Sequence, residues 1–149
     1  MKVLVTGAAG FIGRNLITEL QRREGVSVLP YEVDTPLELL DQYCAECDFV
    51  YNLAGVNRPE HVEEFMEGNF GFATTLVDTL KRHGNNCPIM NSSSIQAALK
   101  NPYGQSKKAG EDMLYAYGQE VGAPIYTYRF PNVFGKWCRP NYNSAVATF

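Results

Sequence analysis

Strand and helix signals alternate along this chain. The alternation predicts an α/β fold, a doubly wound parallel sheet with helices on both faces. Three observations carry the prediction. Lys2 to Thr6 is a short apolar, β-branched run of the kind buried on both faces. A glycine-spaced turn, Gly7-Ala8-Ala9-Gly10-Phe11-Ile12-Gly13, follows it at once and leads into a helical pattern. Further short apolar runs then recur, each separated from the next by a segment of helical spacing.

Taken in order, Arg14 to Glu24 reads as a helix, with Ile12, Leu16, Ile17 and Leu20 on one side and Gly25 as its stop. Val26 to Val33 reads as a strand. Pro36 to Glu46 is a helix with Leu37, Leu40 and Cys44 at helical spacing, and Asp48 to Leu53 is a third strand. Val62 to His83 is a long helical pattern bearing Phe65, Phe72, Leu76 and Leu80, interrupted by Gly68 and Gly71 and ended by Gly84. Pro88 to Asn91 is a short strand running into three serines. Tyr103 to Glu120 is a helix with Met113, Leu114 and Tyr117 inward, Ile125 to Phe130 a fifth strand, and Pro131 to Pro140 a loop. Asn141 to Phe149 reads as the start of another helix. Residues 1–149 thus form one dinucleotide-sized domain, with 141–149 opening a further region.

Composition narrows the function. Thirteen basic against sixteen acidic residues give a net charge of −3, which argues against a nucleic-acid footprint. Apolar residues make up 45% of the chain and charged ones 19%, a globular balance. No apolar run approaches the ~20 residues of a membrane span, and the N-terminus turns glycine-rich too soon for a secretory signal. The expected setting is the cytoplasm, with no nucleic-acid or membrane partner. Cys44-x-x-Cys47 lacks a second half-site nearby and lies in a helical segment, so these read as reduced helix thiols; no metal site is expected.

Ligands of parallel sheets bind at the carboxyl ends of the strands, and the chemistry-bearing residues gather there. In the first turn, Gly7 permits a tight exit from the strand, Gly10 lets a pyrophosphate approach the backbone, and Gly13 lets the helix pack closely. The helix N-terminus beyond it, at Phe11 and Ile12, offers N–H groups to an anion. The spacing is G-x-x-G-x-x-G, and a glycine turn without a nucleotide is the alternative. Tyr103-Gly104-Gln105-Ser106-Lys107 places a phenol and an ammonium on one helix face. A nearby ammonium favours phenolate, so the phenol can trade a proton with a sugar hydroxyl or ketone; a surface helix pair is the alternative. Ser92-Ser93-Ser94 lies just after a strand, where a hydroxyl can bond the same oxygen, or where it simply closes a polar turn. Asn52-Leu53-Ala54-Gly55 ends the middle strand with small residues suited to a flat cofactor, and Asn69 lies on the long helix.

Together these residues resemble the extended short-chain dehydrogenase/reductase (NAD-dependent epimerase/dehydratase) family, whose fold is Rossmann-like. The resemblance rests on Thr6 to Gly13, Asn52 to Gly55, Asn69, Ser92 to Ser94, Tyr103 with Lys107, and Arg129-Phe130-Pro131-Asn132-Val133-Phe134-Gly135. Ala54 to His61, Ser92 to Ala97 and Phe134 to Ser144 look like the reductase domain of CapF-type capsular polysaccharide synthesis enzymes. That likeness implies an oxidoreductase reducing the 4-keto group of a UDP-linked 2-acetamido-2,6-dideoxy-hexose with NADPH. A nucleotide-sugar 4-epimerase or dehydratase, or a non-catalytic dinucleotide-binding module, is the alternative. The resemblance makes Tyr103 the proton donor, and Lys107 the residue that lowers its pKa and holds the nicotinamide ribose. It makes Ser94 the contact to the substrate oxygen, with Ser93 as fallback, and Asn69 the support of the lysine through water. Asn132 would lie near the nucleotide-sugar diphosphate. Arg58 would touch an anion, though a structural salt bridge suits it as well. It also implies a homodimer through the helices at Val62 to His83 and Tyr103 to Glu120.

Two departures from the family pattern stand out. The stretch from Val33 to Asp48 has room for one helix only, so an outer strand is missing and a five-stranded sheet of order 2-1-3-4-5 is expected. The chain also ends where the family's substrate-binding region should begin. Cofactor choice is split between Asp34, which suits a ribose 2′-hydroxyl and NAD, and Arg14, which suits a 2′-phosphate. The resemblance tips the expectation to NADP(H).

Overall fold

The computed structural model describes residues 1–54, 70–94 and 102–130, without the side chains of Ser94, Pro102, Tyr103 and Phe130. In chain order the elements are β1 (Lys2–Thr6), α1 (Phe11–Gln21), β2 (Ser27–Tyr31), α2 (Leu37–Glu46), β3 (Phe49–Asn52), α3 (Phe72–Arg82), β4 (Ile89–Ser94), α4 (Pro102–Val121) and β5 (Ile125–Phe130). The five strands form one sheet in the order β2-β1-β3-β4-β5, and every pairing is parallel. This is the expected architecture and order.

The period-2 alternation of β1 divides the core between the two faces. Val3 and Val5 point to one face and pack with Leu20, Leu16 and Ile17 of α1. Leu4 points to the other, where Val50 and Ile89 continue the row beneath Leu40 of α2, Leu76 and Leu80 of α3, and Leu114 and Tyr117 of α4. Each fully buried leucine here stabilises the fold by about 1.5–3 kcal/mol relative to exposure.

Several boundaries differ from the expected ones, and each has a local cause. α1 begins at Phe11, not Arg14, because Gly10 is its extended N-cap and the Arg14 N–H already donates to the Gly10 carbonyl at 2.9 Å. It ends at Gln21, so Gly25, at φ +77°, shapes the turn into β2 and is not the helix stop. β2 ends at Tyr31, because Glu32 and Thr35 close a turn on each other. The Thr35 N–H donates to the Glu32 carbonyl and the Glu32 N–H to Thr35 Oγ1, both at 3.0 Å. β4 runs through the serines, since Ser92, Ser93 and Ser94 pair with Tyr128, Arg129 and Phe130, so the run is strand and not turn. Of the long helix expected at Val62 to His83, Phe72–Arg82 is observed, and residues 62–69 lie outside the described residues. The loop and helix start expected from Pro131 onward lie outside them as well.

At the amino ends of the strands, Asn85 ties three elements together. Its Nδ2 donates to the carbonyls of Cys44 and Cys47 at 2.8 and 2.9 Å, satisfying the open C-terminus of α2. Its own carbonyl accepts the Tyr117 hydroxyl of α4 at 3.1 Å. Cys44, Cys47 and Cys87 are buried free thiols. Only Cys44 of the expected helix pair lies in α2. Cys47 sits one residue beyond it, with its Sγ 3.8 Å from that of Cys87. Among the described residues no cluster of side chains is placed to hold a metal, and no helix is long and apolar enough to cross a membrane.

Candidate functional site

The turn between β1 and α1 is shaped by what its glycines lack. Gly7 has φ +68°, and a Cβ there would lie 2.7 Å from the Leu53 carbonyl group. A Cβ at Gly13 would collide with the Gly7 carbonyl oxygen, so this glycine brings α1 onto the turn. Gly10 is different. A Cβ there would meet only the Gly7 oxygen, at 3.4 Å, which is ordinary contact. Among the described residues, then, nothing in the protein itself crowds position 10. Gly10 also caps α1 without any side-chain hydrogen bond, leaving the N–H groups of the first helical turn facing outward with the positive end of the helix. A dinucleotide pyrophosphate fits this cradle of Gly7, Gly10, Phe11, Ile12 and Gly13.

Beside the turn lies an open depression of about 370 Å³, lined by Ala8, Ala9, Arg14, Ile17, Thr18, Pro30 and Glu32. Its carboxylate is Glu32, whose Oε1 accepts the Ala9 N–H at 2.7 Å. Asp34, expected to fill that role, sits beyond the end of β2 in the exposed turn and does not line the depression. This placement follows from the early end of β2. Val33, two residues past the strand, is 96% exposed, so the chain has already left the sheet before Asp34. Arg14 lines the depression as well.

A buried polar row crosses the sheet at the carboxyl ends of β1 and β3. Thr6, Asn52 and Asn91 are register neighbours on β1, β3 and β4. Thr6 Oγ1 donates to Asn52 Oδ1 at 2.7 Å, and Asn52 Nδ2 donates to Asn91 Oδ1 at 3.0 Å. The Thr6 hydroxyl also accepts the N–H groups of Leu53 and Ala54 at 3.1 and 3.3 Å, which hangs the β3 exit from β1. Sequence reasoning singled out Asn52 only as part of the strand end and missed the row. Its signal was a polar residue after the apolar run of each of three strands, at Thr6, Asn52 and Asn91.

On α4, Tyr103 and Lys107 stand one turn apart, on one face by helical spacing. Lys107 borders a small cleft with Asn52, Ala54, Asn91 and Ser92. Part of its side chain remains accessible, yet burial of the ammonium pulls its pKa down to about 8, against the opposing pull of Glu111. One turn further along, Glu111 is 7% exposed. Its carboxylate takes a two-pronged grip from Arg129 of β5, at 2.9 Å from Nε and 2.7 Å from Nη2. Burial would raise the Glu111 pKa. The Arg129 hydrogen bonds, the nearby Ser93 hydroxyl and the cations Arg129 and Lys108 outweigh it and hold the carboxyl below its ordinary value. Ser93 Oγ makes no hydrogen bond of good geometry, so its help to Glu111 is a loose contact. Ser93, the fallback contact to substrate, is thus buried beside Glu111, while Ser92 borders the cleft. Sequence reasoning did not single out Glu111 and met Arg129 only within the Arg129-to-Gly135 motif; the spacing Lys107-x-x-x-Glu111 was a signal for Glu111 alone. Gly55, Arg58, Asn69 and Asn132 lie outside the described residues, and so do the side chains of Ser94 and Tyr103.

The sequence pattern of the NAD dependent epimerase/dehydratase family matches residues 3–149. The chain belongs to that family. Family membership agrees with the glycine cradle and with the parallel sheet. The chain is 50% identical over 149 residues to a Pseudomonas aeruginosa protein named UDP-2-acetamido-2,6-beta-L-arabino-hexul-4-ose reductase, covering all of this chain and 40% of that protein. It is 28% identical over 135 residues to the ADP-L-glycero-D-manno-heptose-6-epimerase of the same species, covering 91% of this chain and 37% of the epimerase. Among solved structures, the capsular polysaccharide assembling protein CapF of Staphylococcus aureus superposes with a TM-score of 0.86 at 45% identity, over 99% of this chain and 40% of CapF. The UDP-glucuronic acid 4-epimerase of Bacillus cereus, in complex with NAD, shares the fold at a TM-score of 0.82 and 22% identity, over 95% of this chain and 60% of that one. The chain thus spans about 40% of the length of its reductase relative.

Proposed function

We propose that this chain is the dinucleotide-binding part of an oxidoreductase that reduces the 4-keto group of a UDP-linked 2-acetamido-2,6-dideoxy-hexose, a precursor of capsular or surface polysaccharide. The observation that carries the reading is the placement of Lys107, one helical turn from Tyr103, against the carboxyl ends of β3 and β4. The likeness of the whole of this chain to 40% of a protein named as a UDP-keto-sugar reductase supports the substrate class.

A reduced nicotinamide supplies the hydride in such chemistry. The residues of this chain do the rest. The glycine cradle and the start of α1 hold the pyrophosphate, and Leu53 and Ala54 form a flat wall fixed by Thr6. Lys107 binds the nicotinamide ribose, and its ammonium lowers the pKa of the Tyr103 phenol. Tyr103 gives its proton to the oxygen of the carbon being reduced, so the ketone becomes a hydroxyl. Ser94 holds that oxygen, Asn69 supports the lysine, and Asn132 and Arg58 lie toward the diphosphate. At the adenosine ribose, Arg14 favours the 2′-phosphate of NADP(H), while Glu32 accepts a 2′-hydroxyl and lets NAD(H) bind as well. The enzyme works in the cytoplasm as a homodimer.

An epimerase of the same family would use the same tyrosine and lysine, and the 28% likeness to a heptose epimerase favours it as the second reading. The test is turnover of the UDP-keto-sugar by the protein at its natural length, alongside the Tyr103→Phe variant. The reductase consumes one reduced dinucleotide per product, and Tyr103→Phe abolishes turnover while cofactor affinity stays within about threefold. Product without net consumption of dinucleotide would assign an epimerase. Full turnover by the variant would remove Tyr103 from the chemistry.

A further inference from the structure

A buried carboxylate one turn beyond Lys107 needs a reason. An ion pair with one partner buried and the other exposed, as Glu111 and Arg129 are, adds little to stability, because desolvation of the buried charge offsets a screened attraction. Glu111 is nonetheless 7% exposed and aligned from two sides. Arg129 grips both of its oxygens from β5, while Ser93, the register neighbour of Arg129 on β4, stands beside the carboxylate with no well-formed hydrogen bond of its own. A two-pronged grip fixes the plane of a carboxylate, and helical spacing puts that carboxylate on the face that carries Lys107. We propose that Glu111, clamped by Arg129, is a positioning residue that keeps the Lys107 side chain charged and directed at the cleft. This rests on the role given above to Lys107 as the ligand of the nicotinamide ribose.

The surroundings of Lys107 leave the task to Glu111. On its own helix, Lys108 is paired with Asp112 at 2.7 Å on the exposed side, and Tyr103 lies one turn before. From β3, β4 and α3 the cleft presents Asn52, Asn91, Ser92 and Ala73, none of which carries charge. From β5 the cation is Arg129, which Glu111 partly neutralises. Burial draws the lysine toward its neutral form at about pH 8, and the Glu111 carboxylate opposes it. Without that carboxylate, a larger fraction of Lys107 would be neutral at physiological pH and would no longer hold the ribose or favour phenolate at Tyr103.

The test is the pH dependence of NADH affinity in the protein at its natural length. NADH is the probe because it lacks a 2′-phosphate that titrates near neutrality. Affinity should fall as pH rises through the lysine pKa near 8. In Glu111→Gln the midpoint should move about one pH unit lower. In Arg129→Met, which leaves the carboxylate and removes its cation, the midpoint should move higher. A purely structural tie between β5 and α4 would weaken both variants alike and move neither midpoint. The control is Lys107→Met, which should abolish the pH dependence. If the fall persists in Lys107→Met, the ribose role of Lys107 is overturned and this proposal with it. If it vanishes there but Glu111→Gln keeps the wild-type midpoint, this proposal alone is overturned. Should Glu111→Gln fail to fold, a midpoint in Arg129→Met that stays or moves lower overturns it equally.

Discussion

At the β1–α1 end of the site the chain makes room by leaving side chains out, whereas at the α4 end it fills the space with buried charge. Gly7 and Gly13 have no alternative, because a Cβ at either would meet backbone. Around Lys107, Glu111 and Arg129 the backbone is ordinary helix and strand, and the design lies in which charges face each other. The two ends should therefore fail differently. The glycine end responds to shape and is indifferent to pH. The charged end tolerates changes of shape and responds to pH.

The sharpest separation comes from two glycines three residues apart. Gly7→Ala should destabilise the fold by more than about 2 kcal/mol in chemical denaturation, since it combines a left-handed backbone with a clash at Leu53. Gly10→Ala should leave stability within about 0.5 kcal/mol, yet weaken dinucleotide binding by about tenfold or more in calorimetric titration. If Gly10→Ala bound dinucleotide normally, the cradle would be a structural turn and the contrast between the ends would collapse.

The next effect is at the charged end. A lysine whose folded pKa lies near 8, below its ordinary 10.5, is bound to its proton more tightly in the unfolded chain. Its charge thus costs stability below pH 8, and stability recovers as pH rises from 8 toward 10.5. Lys107→Met should melt at higher temperature than wild type at pH 7, with the gap closing over that window. A gap that stayed constant with pH would mean that packing, not charge, sets the difference. The smallest effect is at the ribose depression, where both kinds of design meet. Glu32→Gln should shift the ratio of NADPH to NADH affinity toward NADPH by about threefold, and Arg14→Ala should weaken NADPH more than NADH. Equal losses of both dinucleotides in Arg14→Ala would remove it from any 2′-phosphate contact.

The same contrast explains what could be read from the sequence. Sheet order and the glycine turn were legible because they depend on local patterns: apolar runs, glycine spacing, and a gap too short for an extra strand. The end of β2 was read two residues too late, at Val33 and not Tyr31, because it is decided by the Glu32–Thr35 turn and not by hydrophobicity; Glu32 therefore borders the depression and Asp34 does not. The serine run was placed beyond the strand because three serines have little strand propensity alone; pairing with β5 overrides it. Glu111 and Arg129 are eighteen residues apart and join only when β5 lies beside β4 under α4, a tertiary arrangement that no spacing rule encodes. Tyr103 and Lys107, by contrast, declared themselves through a single helical turn.

Thr6 gives the site a fixed gauge. One hydroxyl spans from the strand that launches the glycine turn to the two N–H groups that follow β3, and it is anchored sideways by Asn52. The separation between the phosphate cradle and the wall at Leu53 and Ala54 is set before any ligand arrives. The hydroxyl acts as a spacer: whatever occupies the gap between the turn and the β3 exit meets a width that the pairing of β1 with β3 has already fixed.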